Sequence, residues 1–371
     1  MSYTLLDGNE AVAYAAIRAG CQFFAGYPIT PATSILAKML ELLPPQGGVC
    51  LQGEDEIASI GFCLGASMAG KKVMTATSGP GISLYSEQIS FAIGSEIPLV
   101  IVNVQRLGPS TGSATKGADG DINFLRWGNT GGIPVIVLAP VDVQDCYQLT
   151  IQAFNLAEKY RCPVFLASNK EIGLTRESID LQNIVLPEII ERKPFSGAAE
   201  YLPFHANTAT NVPAFLPIGS KTLVRQTSST HGKDGYITTD IGEIGSQRHR
   251  LKEKLEKNVG EFSFYDYIPG DSSEHLIITY GVTGRAAQQV ASSSEGSKPS
   301  VLILKTLWPV PEKLIKTITA KYSTILVVEM NLGQYVNEIE RLTSNKKVTF
   351  LGQMDGNLIT PERIREVLLD A

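Results

Sequence analysis

The chain has 371 residues, 43% hydrophobic and 19% charged, with a net charge of −5. That is room for two or three globular domains, and without a basic run it argues against nucleic acid as a partner. No apolar run reaches membrane-spanning length, and Met-Ser-Tyr-Thr-Leu-Leu-Asp at the N-terminus lacks the basic-then-apolar pattern of a secretory signal. The reading is a cytoplasmic protein with no membrane anchor.

The predicted elements run from the N-terminus. Asn9 can cap a helix to Arg18 that Gly20 ends. A strand over 22–25 enters Gly26-Tyr-Pro-Ile-Thr-Pro31, and a second helix covers 31–43. After a strand over 49–52, the apolar residues Ile57, Ile60, Leu64 and Met68 fall at helical spacing, so a helix is predicted over 54–69 with Gly70 as its stop. A strand over 73–77 turns through Thr77-Ser-Gly-Pro-Gly81 into a helix over 82–93. The apolar strand 98–104 leads into a polar loop, 106–121. A strand over 134–138, a helix over 142–160 and a strand over 163–167 complete the pattern.

Unbroken Val/Ile/Leu strands between helices predict an α/β fold with a parallel sheet covered on both faces. Such sheets bind ligands beyond the carboxyl ends of their strands. Four unusual stretches fall there: 27–30, 54–56, 77–81 and 106–121.

A first domain is therefore placed at 1–185. Over 186–270 periodicity fails and Pro, Gly, Ser and Thr are frequent, so an irregular connecting segment is expected, wrapping the domains or a partner and closing with a charged helix over 246–257. A smaller α/β domain is placed at 271–371, with strands over 276–280, 300–305 and 324–329 and a helix over 311–322. The five cysteines (Cys21, Cys50, Cys63, Cys146, Cys162) are scattered and apolar-flanked, and read as reduced packing residues. They form no Cys-x-x-Cys, which disfavours a zinc site or iron–sulfur cluster built from this chain alone.

Several of these residues carry chemistry. Glu54 and Asp55 suit the positive start of a helix. Glu56 lies beside Ile57 on the buried edge of a strand-to-helix junction, where a carboxylate is costly without a partner such as a protonatable ring nitrogen. Thr30 before Pro31 either caps a helix or helps a helix start bind an anion. The Thr77–Gly81 turn either is a bare glycine turn or brings backbone close to a flat ligand. Arg106, directly after a buried strand, needs a carboxylate from the chain or from a ligand. Lys116 is either solvated or in touch with a substrate.

Gly26-Tyr-Pro-Ile-Thr-Pro31, Gln52-Gly-Glu-Asp-Glu56, Thr75-Ala-Thr-Ser-Gly-Pro-Gly81 and Gly108-Pro-Ser-Thr-Gly112 resemble the α subunit of 2-oxoacid:ferredoxin oxidoreductases, nearest the 2-oxoglutarate (KorA-like) branch. The likeness continues through Ala153–Glu158 and Lys305–Pro309 to Glu329-Met-Asn-Leu-Gly-Gln334, covering nearly the whole chain. It implies a parallel-sheet thiamine-diphosphate pyrimidine-binding domain followed by a transketolase C-terminal-like domain.

It also implies oxidative decarboxylation of 2-oxoglutarate to succinyl-CoA with reduction of ferredoxin, or the reverse. Glu56 matches the glutamate that hydrogen-bonds N1′ of the aminopyrimidine and favours its imino tautomer, so that the cofactor's own amino nitrogen deprotonates C2. Thr77, Ser78, Gly79 and Pro80 join Glu56 on the cofactor side. Thr30 and Arg106 match positions that hold the substrate carboxylate, and Tyr27, Ile29 and Lys116 complete the substrate side. Diphosphate, Mg²⁺ and [4Fe-4S] sites are implied on a separate β subunit, in an (αβ)₂ assembly that can carry γ and δ subunits, with coenzyme A as cosubstrate.

The chain departs from the family where Ala114 replaces a proline and Asp119 a glutamine. An added carboxylate in this loop would repel the distal carboxylate of 2-oxoglutarate unless Lys116 offsets it. Another 2-oxoacid, such as pyruvate or a branched-chain or aryl oxoacid, is therefore the alternative substrate. A catalytically silent, partner-binding scaffold subunit is the alternative of another class.

Overall fold

The computed structural model describes residues 3–196, 200–207, 212–271, 274–292 and 298–370. In chain order the strands are β1 (Thr4–Asp7), β2 (Phe23–Gly26), β3 (Val49–Gln52), β4 (Val73–Thr77), β5 (Leu99–Gln105), β6 (Ile136–Leu138), β7 (Pro163–Asn169), β8 (Arg176–Ile179), β9 (Tyr265–Ile268), β10 (His275–Tyr280), β11 (Ser300–Leu304), β12 (Thr306–Trp308), β13 (Thr324–Glu329) and β14 (Lys347–Gly352). They form a seven-stranded sheet in the order β12-β6-β7-β5-β4-β2-β3, a five-stranded sheet β14-β13-β10-β11-β9, and a β1–β8 ribbon.

The predicted parallel core is present: β3, β2, β4, β5, β7 and β6 run parallel. Each larger sheet also carries an antiparallel edge strand, β12 on one and β9 on the other. β12 belongs in sequence to the C-terminal part but pairs with β6. The chain thus crosses between sheets at Lys305, whose ammonium bridges Asp145 (2.9 Å) and Asp266 (2.8 Å).

Alternate residues of β5 face opposite cores. Val100, Val102 and Val104 pack with helices Gly8–Arg18, Thr33–Leu42 and Val143–Tyr160. Leu99 and Ile101 join a core that continues without a break into Tyr280, Trp308 and Tyr335 of the C-terminal part. That shared core fuses the two sheets into one body, because burying it removes apolar surface from water on both sides at once.

Several local boundaries move for identifiable reasons. The first helix is capped by Asp7, not Asn9: Asp7 accepts from the Glu10 amide and Glu10 returns a bond to the Asp7 amide. Asn9 is instead buried and donates to the Pro31 carbonyl (2.8 Å). The helix predicted over 31–43 begins at Thr33 with no side-chain cap, so Thr30 caps nothing; the Thr30–Pro31 peptide is cis. The helix predicted over 82–93 is two, Pro80–Leu84 and Ser86–Gly94.

The helix predicted over 54–69 spans Glu56–Met68. Its buried stripe is Glu56, Ser59, Ile60, Cys63, Leu64 and Ser67, whereas Ile57 is 47% exposed. Four cysteines are buried, Cys50 is half-buried, and all five are free.

The segment between β8 and helix Ile241–Glu256 contains no helix or strand among the described residues. It is strapped to the first domain. Arg192 pairs with the Glu158 carboxylate (2.8 Å) and donates to the Ser67 carbonyl, and Lys72 donates to the Ile190 carbonyl. The stretch 226–235 packs near Gly94 and Ser95, before the N-terminal end of β5, away from the sheet end that carries Glu56.

Candidate active site

The site forms where the chain leaves β2, β3, β4 and β5. β2 lies between β3 and β4, so the crossovers on its two sides diverge and leave a crevice beyond the carboxyl ends.

After β3, Asp55 is extended and its carboxylate accepts from the Ala58 amide (2.7 Å), which fixes the start of the helix. Glu54 is exposed. Glu56 becomes the first helical residue and is only 8% exposed. Its carboxylate forms no hydrogen bond or ion pair among the described residues, an expensive state for a buried acid.

After β4, Thr77 and Ser78 are fully buried, and neither hydroxyl has a hydrogen-bond partner. Gly79 turns the chain with φ +47°, and a Cβ there would stand 2.9 Å from Arg106 Nε. A Cβ on Gly81 would stand 2.1 Å from Thr77 Oγ1 and 3.0 Å from Glu56 Oε1. These glycines let Glu56, Thr77 and Arg106 close on one point.

Arg106 follows β5, is 5% exposed, and donates through Nη1 to the Thr30 carbonyl (2.7 Å), leaving Nε unpartnered. Burial lowers its pKa, opposed by the carboxylates of Asp121 and Glu56. Tyr27 and Thr30 are exposed at the rim, and Ile29 packs against the core.

Thr77 Oγ1, Ser78 Oγ, Asn103 Oδ1 and Arg106 Nε are thus buried without partners at the ends of two adjacent strands, with the open Glu56 carboxylate close by. Such a group of unmade bonds fits a flat polar ligand with ring nitrogens, entering over the Gly79–Gly81 turn. The residues present therefore fit an aminopyrimidine.

Two neighbours, Asn103 and Tyr85, escaped the sequence reading. Asn103 donates to Asp121 (2.9 Å), which faces Arg106. Tyr85, fully buried, shares a hydrogen bond with Thr75 (2.8 Å), and burial pushes its phenol up. Tyr85 is four residues from Gly81, a helical spacing that could have marked it.

Lys116 stands apart from this group. It is exposed, its stem lies against Gly356 of the C-terminal domain, and its ammonium has no partner among the described residues.

Asp119 corrects an expectation. It does not face the substrate loop's open side but is 2% exposed between the two sheets, accepting from Asn169 (2.8 Å). Burial raises its pKa to about 7, Asn169 counteracts this, and Glu329 and Asp121 add to the rise.

The folded chain then keeps this proton up to about pH 7, whereas an unfolded aspartate releases it near ~4. The contribution of Asp119 to stability therefore falls as pH rises through that window. Asp119→Asn is expected to unfold at higher urea than the parent at pH 8, by on the order of 1–3 kcal/mol. The advantage shrinks at pH 5. An equal difference at both pH values would show that Asp119 does not titrate between them.

Residues 14–248 match the family "Pyruvate flavodoxin/ferredoxin oxidoreductase, thiamine diP-bdg", and 273–364 match "Pyruvate:ferredoxin oxidoreductase core domain II". The chain is 38% identical to the 2-oxoglutarate synthase subunit KorA of Methanothermobacter thermautotrophicus, over 98% of this chain and 97% of that one. Identity to the ketoisovalerate oxidoreductase subunit VorB of the same organism is 33%, over 100% and 99%.

Among solved structures, the 2-oxoglutarate:ferredoxin oxidoreductase from Magnetococcus marinus, with 2-oxoglutarate, coenzyme A and succinyl-CoA bound, superposes with a TM-score of 0.91 at 33% identity. That match covers 99% of this chain and 65% of the other, so the chain spans about two thirds of that larger polypeptide. A split-gene transketolase shares the fold alone (TM-score 0.57, 12% identity, 99% of this chain and 98% of that one). By sequence along nearly its whole length, and by the fold it shares, the chain belongs to the 2-oxoacid:ferredoxin oxidoreductase family as an α-type subunit of the KorA kind.

Proposed function

We propose that this chain is the pyrimidine-side α subunit of a cytoplasmic, thiamine-diphosphate-dependent 2-oxoglutarate:ferredoxin oxidoreductase that acylates coenzyme A. The observation that carries the reading is the buried, unpartnered Glu56 carboxylate beside the Gly79–Gly81 turn. The chemistry supplied by the cofactor when bound is reversal of polarity at a 2-keto carbon, with the electrons left by loss of CO₂ passing to ferredoxin.

This chain's residues bind and orient. Glu56 holds a proton at the pyrimidine ring nitrogen. Thr77 and Ser78 offer their free hydroxyls, and Gly79 and Pro80 keep the turn flat. Arg106, with Thr30, Tyr27 and Ile29 around it, receives the substrate's 2-oxo-carboxylate. Lys116 serves its distal carboxylate.

A β subunit supplies the diphosphate, Mg²⁺ and [4Fe-4S] sites in an (αβ)₂ assembly, to which γ and δ subunits can add. Among the described residues no group of His, Cys, Asp or Glu could hold a metal. The domain limits 1–185, 186–270 and 271–371 remain our division, with β9 reaching back across the last of them.

Burial of Asp119 removes the repulsion that favoured another oxoacid, and identity to the 2-oxoglutarate synthase subunit (38%) exceeds identity to the ketoisovalerate one (33%). Both support 2-oxoglutarate. The test is anaerobic co-production with the β subunit and a 2-oxoacid panel read by coenzyme-A-dependent viologen reduction. 2-Oxoglutarate should be the preferred substrate, and preference for another oxoacid would overturn the assignment. Lys116→Ala should raise KM for 2-oxoglutarate about 10–100-fold, the worth of a hydrogen bond between charged groups, and leave KM for any slower turnover of pyruvate nearly unchanged.

A further inference from the structure

The motif Glu329-Met-Asn-Leu-Gly-Gln334 has no part in the site described above, yet it lies directly under the loop that carries Lys116. It leaves β13, which lies between β14 and β10 in the C-terminal sheet. Glu329 is fully buried and ties down the turn after β13, accepting from the Tyr335 (2.9 Å) and Val336 (2.7 Å) amides and from the Tyr280 hydroxyl (2.7 Å).

Asn331, also fully buried, accepts from the Gly333 amide (2.8 Å) and donates to the Asp119 carbonyl (2.9 Å). The Asp119 amide donates to the Met330 carbonyl (2.8 Å). Gln334 then reaches across with both ends of its amide: Nε2 donates to the Gly120 carbonyl, and Oε1 accepts from the Asn123 amide (2.8 Å).

The far side of the same turn is held by the first domain. Asn169 donates to Asp119, Asn103 donates to Asp121, and the Gln105 side chain accepts from the Asp121 amide (2.9 Å). Residues 119–123 are therefore clamped from two sheets, and Lys116 rests on Gly356 four residues outside the Gly120 contact.

The clamp is unequal. Asn331 and Asn169 are fully buried and structural, whereas Gln334 is half-buried, and its side chain bonds only to backbone, at Gly120 and at Asn123 in the first turn of helix Ile122–Trp127. Losing it costs little core packing but removes two of the four hydrogen bonds by which the C-terminal domain holds residues 119–123.

We infer that Gln334 is a positioning residue for the substrate loop: its side-chain amide, bonded to the Gly120 carbonyl and the Asn123 amide, fixes where the Lys116 ammonium stands. The inference rests on the reading of Lys116 as the group that serves the distal carboxylate. The C-terminal domain then contributes to substrate selection without touching substrate.

The test uses the αβ complex with Gln334→Ala, Lys116→Ala and the double variant. Gln334→Ala should raise KM for 2-oxoglutarate about 5–20-fold with kcat within about twofold and KM for coenzyme A unchanged, the loss expected for one or two neutral hydrogen bonds. Combined with Lys116→Ala it should add nothing, because its effect passes through Lys116; additive losses would overturn the proposal.

Hydrogen exchange of peptides covering 116–123 gives a readout independent of turnover. It should speed up in Gln334→Ala while peptides from β4 and β5 stay as in the parent, and unchanged exchange over 116–123 would equally overturn the proposal. If Lys116→Ala alone leaves KM for 2-oxoglutarate unaltered, the reading of Lys116 fails and takes this inference with it. If Lys116→Ala acts and Gln334→Ala does not, only the positioning role fails.

Discussion

Glu56→Gln, produced with its β subunit, should lose roughly 10²–10⁴-fold in kcat, the range by which a positioned acid–base group accelerates a reaction. Assembly should be intact. The glutamine is isosteric, the Asp55 cap that starts the helix is untouched, and the helix's buried stripe of Ser59, Ile60, Cys63 and Leu64 stays in place.

A neutral amide also relieves the cost of a buried carboxylate without a partner, so the α chain alone should be no less stable in urea than the parent. Size-exclusion chromatography and the near-UV circular dichroism of bound cofactor separate a chemical loss from failure to assemble or bind. Turnover within about threefold of the parent would remove Glu56 from the chemistry. The same loss with a broken complex would make it structural.

The largest expected loss of stability lies at the other end of the sheet. Glu96 is fully buried at φ +51° and binds Arg250 in a bidentate pair and Lys254 (2.9 Å), while Arg161 donates to its carbonyl (3.2 Å). Burial acts to raise this carboxylate's pKa, but Lys254 and Arg250 outweigh it and hold it far below the ordinary range.

Glu96→Gln would leave three buried cations facing a neutral amide and should cost about 3–5 kcal/mol, measured as a shift in urea unfolding at pH 7. Because the folded pKa is depressed, the stabilisation is present above the ordinary carboxylate pKa and is lost as pH falls below it. The gap between parent and variant should therefore narrow only in strong acid. A difference under about 1 kcal/mol at pH 7 would show that the cations find other partners. Helix Ile241–Glu256 is docked by this cluster together with Leu251 and Leu255, so its amides should exchange first in the variant.

Much of the site was written in short stretches of sequence. The strand-then-helix pattern placed Glu56 at a junction, and Gly79 and Gly81 marked a turn whose close backbone approach was one of two readings; both are local signals, decided within a few residues. Arg106 was legible as a guanidinium in need of a partner after an unbroken apolar strand, but the partner expected was a carboxylate and the chain supplies the Thr30 carbonyl. The cap at Asp7, the start at Thr33 and the outward face of Ile57 were misjudged because short-range patterns tolerate shifts of one or two residues, and packing against neighbouring elements settles them.

What the sequence determined by itself was the parallel α/β core, the sheet end where the candidate stretches meet, and the buried Glu56 carboxylate there, since periodicity and turn chemistry act along the chain. What the tertiary structure alone decided was the environment of Asp119, 212 residues from Asn331, and of Glu96, 154 residues from Arg250. It also sent β12 into the sheet of the other domain. In each case the deciding term is desolvation of a charge or backbone group by a segment remote in sequence. Nothing local to Asp119 distinguishes a loop carboxylate in water from one sealed between two sheets.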